Sequence, residues 1–264
     1  MLQHDDFQRV VTVVVDAAKE EILGRFNRVQ AELKADGSLV TSADLAMQAA
    51  VKKALLWYWP NSAVLGEEMS AEEQQRTLDE NREGLLWCLD PLDGTSNFSA
   101  GLPYFSVSLA LLYKSKVVFG LVYDPARDEC FTAIRGDGAY LNGHSLVRKA
   151  PPKELKHCLA AVDFKRLNND LRMRFAQKPP YGSQRSLGSI ALDWCWLAAG
   201  RFHVYLHGKQ KLWDYTAGHL ILSEHQGVST TLSGDEVFRY SLTPQSALAA
   251  VDAQLFEQWR AYLS

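Results

Sequence analysis

The stretch Trp87-Cys88-Leu89-Asp90-Pro91-Leu92-Asp93-Gly94-Thr95-Ser96-Asn97-Phe98 is the part of the chain richest in potential chemistry. An apolar strand runs into Asp90, Pro91 fixes the backbone, and Asp93 follows in a tight turn closed by Gly94, so two carboxylates can converge. Gly94 lets the chain approach a ligand closely, and if a helix begins there the following N–H groups can point at one anion. Such a loop can hold a metal and a phosphate together. Taken alone, the same composition also describes an Asx turn at a strand end. Two further acidic sites have the same ambiguity. Glu67-Glu68 after a short apolar run is either part of the same centre or a solvated acidic pair, and Asp214 in Trp213-Asp214-Tyr215-Thr216-Ala217-Gly218 is either a ligand or an ordinary helix cap.

Taken in order, the Glu67-Glu68 pair, the Asp90-to-Phe98 loop and the Trp213-to-Gly218 segment resemble the inositol monophosphatase-like superfamily of magnesium-dependent, lithium-sensitive phosphatases. A weaker fourth match, Lys34-Ala-Asp-Gly-Ser-Leu-Val-Thr41-Ser-Ala-Asp44, is similar to that family's catalytic loop. The resemblance implies a layered α/β sandwich, αβαβα, of the inositol monophosphatase and fructose-1,6-bisphosphatase type. By the same resemblance, Glu67, Asp90 and the Leu92 carbonyl form one metal site and Asp90, Asp93 and Asp214 a second, with Glu67 assisting a third, weakly held ion. Hard oxygen donors suit two or three Mg²⁺, and no Cys or His pattern suits zinc. Thr95 and Asp44 would orient and deprotonate the attacking water, the backbone of Asp93, Gly94 and Thr95 would hold phosphate, and Lys34 and Glu68 would belong to the neighbouring loop. Water would attack a small phosphate monoester in line.

On the substrate side, Arg185-Ser-Leu-Gly188-Ser189-Ile190 resembles the family's substrate-facing helix start. His207 stands seven positions before Asp214, where inositol-specific relatives carry an acid. With Lys209 and Lys211 nearby, this side is expected to be cationic if they face inward, which favours a more anionic leaving group such as a bisphosphorylated nucleotide or a sugar bisphosphate. The other reading of these residues is a solvated basic turn. A non-enzymatic alternative, a regulatory or interaction protein that keeps the fold, would be free to lose Glu67, Asp90, Asp93, Thr95 or Asp214; none is missing. No P-loop, dinucleotide fingerprint, zincin or serine-hydrolase motif is present.

The elements that must position these groups follow from hydrophobic periodicity. Phe7, Val10, Val11, Val14, Ala18, Ile22, Phe26, Val29 and Leu33 recur in three- and four-residue steps, predicting one long amphipathic helix. Lys34 to Thr41 is then a loop, and a second helix runs from Thr41 or Ser42 to near Pro60. Short apolar runs at 63–65 and 85–89 predict buried strands ending at Gly66 and Asp90. An antiparallel meander covers about 105–141, with turns at Gly136-Asp137-Gly138 and Asn142-Gly143. Beyond Pro151-Pro152, strands (158–162, 202–206) alternate with helices (near 170–176, 189–199, 214–225 and around 255–263).

The chain has 264 residues, is 47% hydrophobic and carries a net charge of −3, which excludes disorder and a broadly basic nucleic-acid surface. One unit over 1–264 is expected, with sub-halves at about 1–150 and 151–264. The N-terminus has acids in place of a basic n-region, no run spans a membrane, and the four spaced cysteines suit free thiols in a reducing compartment. Without a secretory signal, the Asn97-Phe98-Ser99 acceptor pattern has no consequence. The expectation is therefore a cytoplasmic enzyme, homodimeric as many of the relatives are, acting on a small phosphorylated metabolite without membrane or nucleic-acid binding.

Overall fold

The computed structural model describes residues 4–34, 37 and 39–263. Ala35, Asp36 and Ser38 of the expected loop lie outside the described residues. In chain order the elements are α1 (His4–Glu21), β1 (Ala31–Leu33), β2 (Leu39–Thr41), α2 (Ser42–Tyr58), β3 (Ser62–Gly66), α3 (Ala71–Glu80), β4 (Leu85–Asp93), α4 (Thr95–Ser99), β5 (Ser106–Tyr113), β6 (Lys116–Asp124), β7 (Glu129–Ile134), β8 (Gly138–Leu141) and β9 (His144–Ser145). The second half adds β10 (Leu159–Val162), α5 (Asn169–Gln177), β11 (Ser183–Arg185), α6 (Ile190–Ala198), β12 (Val204–Gln210), α7 (Leu212–Glu224), β13 (Val228–Thr230), β14 (Gln245–Ala250) and α8 (Ala253–Leu263).

The strands β3 to β9 form a seven-stranded sheet in sequence order, antiparallel except for the β3–β4 pair. A five-stranded sheet has the order β11-β10-β12-β14-β13, with β10 parallel to both its neighbours. Alternation along the strands defines the layers. Trp87 and Leu89 of β4, Val107, Leu109 and Leu111 of β5, and Phe119, Leu121 and Tyr123 of β6 share one cluster with Val10 and Val14 of α1 and Met47 and Val51 of α2. The alternate residues, Leu86, Cys88, Ala110, Leu112 and Val122, pack with Leu192 and Trp194 of α6 and Leu220 and Ile221 of α7, and through them with Tyr205 and Ala249 of the second sheet. That sheet's far face, with Val162, Val204 and Leu248, is covered by Phe175 of α5 and Leu255, Phe256 and Trp259 of α8. The order is therefore helix, sheet, helix, sheet, helix, as the family resemblance implies.

Three expectations need correction. The first helix does not reach Leu33: it ends at Glu21, gives way to a single 3-10 turn at Leu23–Arg25, and the left-handed Asn27 (φ 61°) then turns the chain away. Phe26 and Val29 keep the apolar spacing only because the loop continues over the same core, Phe26 packing 5.0 Å from the Phe105 ring. Leu33 is 74% exposed and lies in a two-stranded hairpin, β1 against β2, that replaces the expected loop at its two ends. The strand through Cys88 does not stop at Asp90 but continues to Asp93. All four cysteines are free and buried. Among the described residues no helix is long and apolar enough to cross a membrane.

Candidate metal and phosphate site

Strand β4 presents the first two carboxylates. Residues three apart on a regular strand face opposite sides. Here Asp90 pairs with Ser108 and Asp93 with Ser106, so β4 advances three residues while β5 advances two. This one-residue bulge turns Asp93 to the side already faced by Asp90, and it accommodates Pro91, which has no N–H for a regular ladder. Leu92 is directed the other way, into the α1–α2 core. Asp90 Oδ1 accepts the Leu92 N–H at 3.0 Å, which closes the bulge locally.

Helix α7 lies on the same side of the sheet. Ser108, the residue paired with Asp90, donates its Oγ proton to the Trp213 carbonyl at 2.9 Å, tying the start of the helix to β5 at that point. Asp214, in the first turn, accepts the Lys211 N–H at 2.7 Å. Glu67 follows β3, its N–H donating to the Leu89 carbonyl at 3.1 Å, and buried Gln74 of α3 donates to the carbonyls of Gly66 and Glu67.

These acids perturb one another. Asp90 is pushed well above the usual carboxylate range, first by burial and then by the charges of Glu67, Asp93 and Asp214. Asp214 is raised by burial, then by Glu67 and Asp93. Asp93 rises to about 6 through burial, an increase opposed by donors from Ser189, Ala191 and Ile190. Among the described residues no three acidic, histidine or cysteine side chains already close around one point as metal ligands. The donor set nevertheless fits a hard divalent cation. It is made of carboxylates and a carbonyl, with Asp90 and Asp93 buried and the carboxylates repelling one another.

Gly94 adopts φ 95°, and a side chain there would meet the Tyr104 carbonyl at 3.1 Å, so both its torsion and the close approach require glycine. Thr95, which follows, places Oγ1 3.1 Å from Asp44 Oδ1 and 3.0 Å from the Leu92 carbonyl, its single proton facing two acceptors. Asp44 is 1% exposed, and its Oδ2 takes the Thr41 N–H and hydroxyl at 2.8 and 2.6 Å in a capping box at the start of α2. Burial raises its pKa, and the hydrogen bonds from Thr41 and Thr95 oppose the rise.

The remaining expected residues divide. Lys34 Nζ lies 2.5 Å from Glu68 and 3.6 Å from Glu67, so the loop residues meet the acidic site. Burial would lower the Lys34 pKa, but Glu67 and Glu68 together raise it. Glu68 is raised by burial against the Lys34 bond. Gly188 is exposed and Ile190 half-buried at the start of α6.

Two substrate-side expectations do not hold. Ser189 is fully buried and does not face a ligand: its hydroxyl donates to Asp93 Oδ2 at 2.6 Å, alongside the Ala191 N–H at 2.7 Å. His207 is 1% exposed; its Nε2 lies 3.0 Å from Asp163 and its Nδ1 accepts the Lys209 N–H, so neither nitrogen is open to a ligand. Lys209 is exposed, whereas Lys211 turns inward, its Nζ 3.4 Å from Glu67. No local pattern marks Asn97 as a clamp. Its Nδ2 donates to the carbonyls of Tyr104 and Leu187, both at 2.7 Å, joining α4 to the 185–190 segment.

The family model described as "Inositol monophosphatase family" matches residues 4–262. The chain belongs to the inositol monophosphatase family. Nus factor SuhB of Pasteurella multocida is 36% identical to it over 215 residues, covering 80% of this chain and 78% of its own. Inositol monophosphatase 1 of Solanum lycopersicum is 33% identical over 260 residues, 94% of this chain and 93% of that one. Among solved structures, an IMPase of Thermotoga maritima superposes with a TM-score of 0.83 at 25% identity, over 98% of this chain and 96% of its own. Membership in the inositol monophosphatase family thus extends over both sheets and every acidic residue described above.

Proposed function

We propose that the protein hydrolyses a phosphate monoester of a small metabolite with the help of Mg²⁺, two or three ions being held by Glu67, Asp90, the Leu92 carbonyl, Asp93 and Asp214. The observation that carries this reading is the bulge that turns Asp93 to the side of Asp90, facing the α7 turn that bears Asp214. Divalent ions there would neutralise phosphoryl charge and make a neighbouring water more acidic.

The chain's own residues do the rest. Asp44 Oδ1 is placed to take the Thr95 proton, which leaves Thr95 Oγ1 able to accept one from the attacking water. The turn at Asp93, Gly94 and Thr95 brings backbone N–H groups to the ester's oxygens, an approach that the bare Gly94 permits. Ser189 and the Ala191 N–H fix one oxygen of Asp93, so the carboxylate needs little reorganisation when a substrate binds. Gly188 and Ile190 would border the leaving group.

A 3'(2'),5'-bisphosphate nucleotide or a sugar bisphosphate such as fructose 1,6-bisphosphate is the alternative substrate class. It loses the support of His207, which is turned away, and keeps that of Lys211, whose ammonium reaches the acidic site. A regulatory role is the second reading, favoured by the relative named a Nus factor. The complete acidic set favours the enzyme. By family relationship we also infer lithium sensitivity, a homodimer and a cytoplasmic location.

The test is phosphate release from a metabolite panel by the wild type with Mg²⁺, by the wild type with EDTA, and by Asp93→Asn. Release that depends on Mg²⁺ and is lost in the variant is expected. Equal rates in all three would leave the regulatory reading standing.

A further inference from the structure

Asp163 and His207 form a polar pair that takes no part in holding metal or phosphate. Val162 of β10 is in register with Leu206 of β12, and the Asp163 N–H donates to the Leu206 carbonyl at 3.1 Å, so the two residues are neighbours across the strands. Ala161 and Tyr205 pack in the layer between the sheets, whereas Val162 and Leu206 pack in the outer core. Alternation therefore turns Asp163 and His207 inward, towards the seven-stranded sheet, and the rings of Tyr205 and His207 stack with centroids 6.3 Å apart. One stretch of chain links the pair to the acidic centre. Gln184 Nε2 donates to the Val162 carbonyl at 3.0 Å, and further along the same stretch the Ser189 hydroxyl donates to Asp93 Oδ2 at 2.6 Å. Asp193 of α6, raised by burial against a hydrogen bond from Tyr104, is raised further by the charges of both Asp93 and Asp163, so the three carboxylates share one neighbourhood.

The two residues differ in what they can offer. His207 Nδ1 accepts the Lys209 N–H at 3.2 Å, which puts the proton of the neutral ring on Nε2, 3.0 Å from Asp163 Oδ2. Asp163 Oδ1 accepts the Lys165 N–H at 2.8 Å. Each carboxylate oxygen can accept twice, so both keep a free lone pair, and 26% of the Asp163 side chain is exposed while His207 is buried. Burial would raise the Asp163 pKa, but the hydrogen bonds from His207 and the Lys165 N–H, with the Arg166 charge, hold it below the usual carboxylate range.

We infer that Asp163 is a specificity-determining residue of the leaving-group side: its carboxylate accepts hydrogen bonds from hydroxyl groups on the alcohol part of the ester, and His207 is the positioning residue that aims it. This rests on the hydrolase reading above and adds to it what the five-stranded sheet recognises. An ionised carboxylate only accepts, and it repels a second phosphate, whose oxygens are acceptors of the same charge. The alcohol released is therefore a polyol that carries no second phosphate against Asp163, and esters without those hydroxyls leave a partly buried carboxylate unpaired.

Phosphate release with Mg²⁺ from three esters tests this: inositol 1-phosphate, cyclohexyl phosphate, which has the same ring without hydroxyls, and fructose 1,6-bisphosphate. The proteins are the wild type, Asp163→Asn, Asp163→Ala and His207→Gln, and the readout is the ratio of kcat/KM for inositol 1-phosphate to that for cyclohexyl phosphate. The wild type should favour the polyol monoester over both others. The ratio should fall about tenfold in Asp163→Asn and up to about a hundredfold in Asp163→Ala, as loss of hydrogen bonds to a charged group entails, and mainly through KM. His207→Gln, which can still donate to Asp163, should keep most of it. Asp163→Asn preserves the shape of the side chain and decides the matter if Asp163→Ala fails to fold. A ratio unchanged in Asp163→Asn, or a wild type that prefers fructose 1,6-bisphosphate, would overturn the inference and leave the hydrolase standing. An equal fall for all three esters would reduce the pair to a structural support and overturn it as well. Absence of Mg²⁺-dependent release from every ester would instead remove the hydrolase reading, and the inference with it.

Discussion

Thr95 Oγ1 lies 3.1 Å from Asp44 Oδ1, and this contact joins the loop after β4 to the first turn of α2 across 51 residues of chain. Asp44 spends its other oxygen on the Thr41 cap, so the same carboxylate that starts the helix orients the threonine. If the pair moves a proton from water, Thr95→Ala and Asp44→Asn should each lower kcat by about 10²–10⁴ with a smaller change in KM. Thr95→Ser should keep most of the activity, and the double variant should fall no further than the worse single one, because the two act as a unit. Steady-state kinetics on the best substrate checks this, and fully additive losses would dissolve the pair.

Ser189 is a different kind of residue from the one its sequence context suggests, since it holds Asp93 from beneath. Ser189→Ala removes one donor to a buried carboxylate while the Ala191 N–H remains. Loss of a partner of this type weakens metal affinity by about 10–100-fold. Calorimetric titration with Mg²⁺ should show that loss in the variant, with its thermal midpoint little changed. Unaltered affinity would make Ser189 a packing residue only.

The sequence disclosed the site in its chemistry more fully than in its geometry. Asp90, Asp93, Thr95 and Asp214 stood out as candidates only together: a strand end, a turn and a helix start each fit a structural turn or cap when taken alone, and it is their order along the chain that resembles one family. The five-layer order came with the resemblance, whereas the residue pattern itself predicts an antiparallel meander, whose β5 and β6 do alternate between two cores. The bulge was not legible, since Pro91 argues against a strand interior and only pairing with β5 reveals that the ladder resumes at Asp93. Ser189 and His207 were misread for a related reason. Their partners, Asp93 and Asp163, lie 96 and 44 positions away, and no local spacing shows that a polar side chain will point inward. The first helix was overextended because the 26–33 segment keeps a helical spacing while folding back as loop and hairpin.

Gly120 of β6 sets how closely α7 approaches the sheet. A methyl group there would sit 2.8 Å from the Ala217 carbonyl oxygen and 3.0 Å from its Cα, both backbone atoms that cannot swing aside. Overpacking of this kind costs about 1–3 kcal/mol, and relief requires α7 to move together with Asp214. Gly120→Ala should therefore lower the thermal midpoint and weaken divalent-cation binding. A variant as stable as the wild type, with unchanged affinity, would show that the helix is not fixed by this contact.

His219 of α7 contributes a pH dependence independent of the acidic cluster. Its ring packs edge-on against Trp194 at 5.5 Å, its Nε2 lies 3.1 Å from Ser229 Oγ, and burial, aided by the Arg135 charge, lowers its pKa to about 4. The unfolded chain, with an ordinary histidine near about 6.5, binds the proton more readily than the folded one. The neutral ring's contribution is therefore complete above about pH 6.5 and is lost as the pH falls towards 4. It amounts to at most about 3 kcal/mol, and less to the extent that solvent reaches the ring. Urea unfolding of wild type and His219→Asn at pH 7.5, 6 and 5 isolates this term, because the carboxylates titrate alike in both proteins. The wild type should lose stability relative to the variant as the pH is lowered. A difference between the two that stays constant across this range would mean that the folded protein binds the proton at His219 as readily as the unfolded chain does.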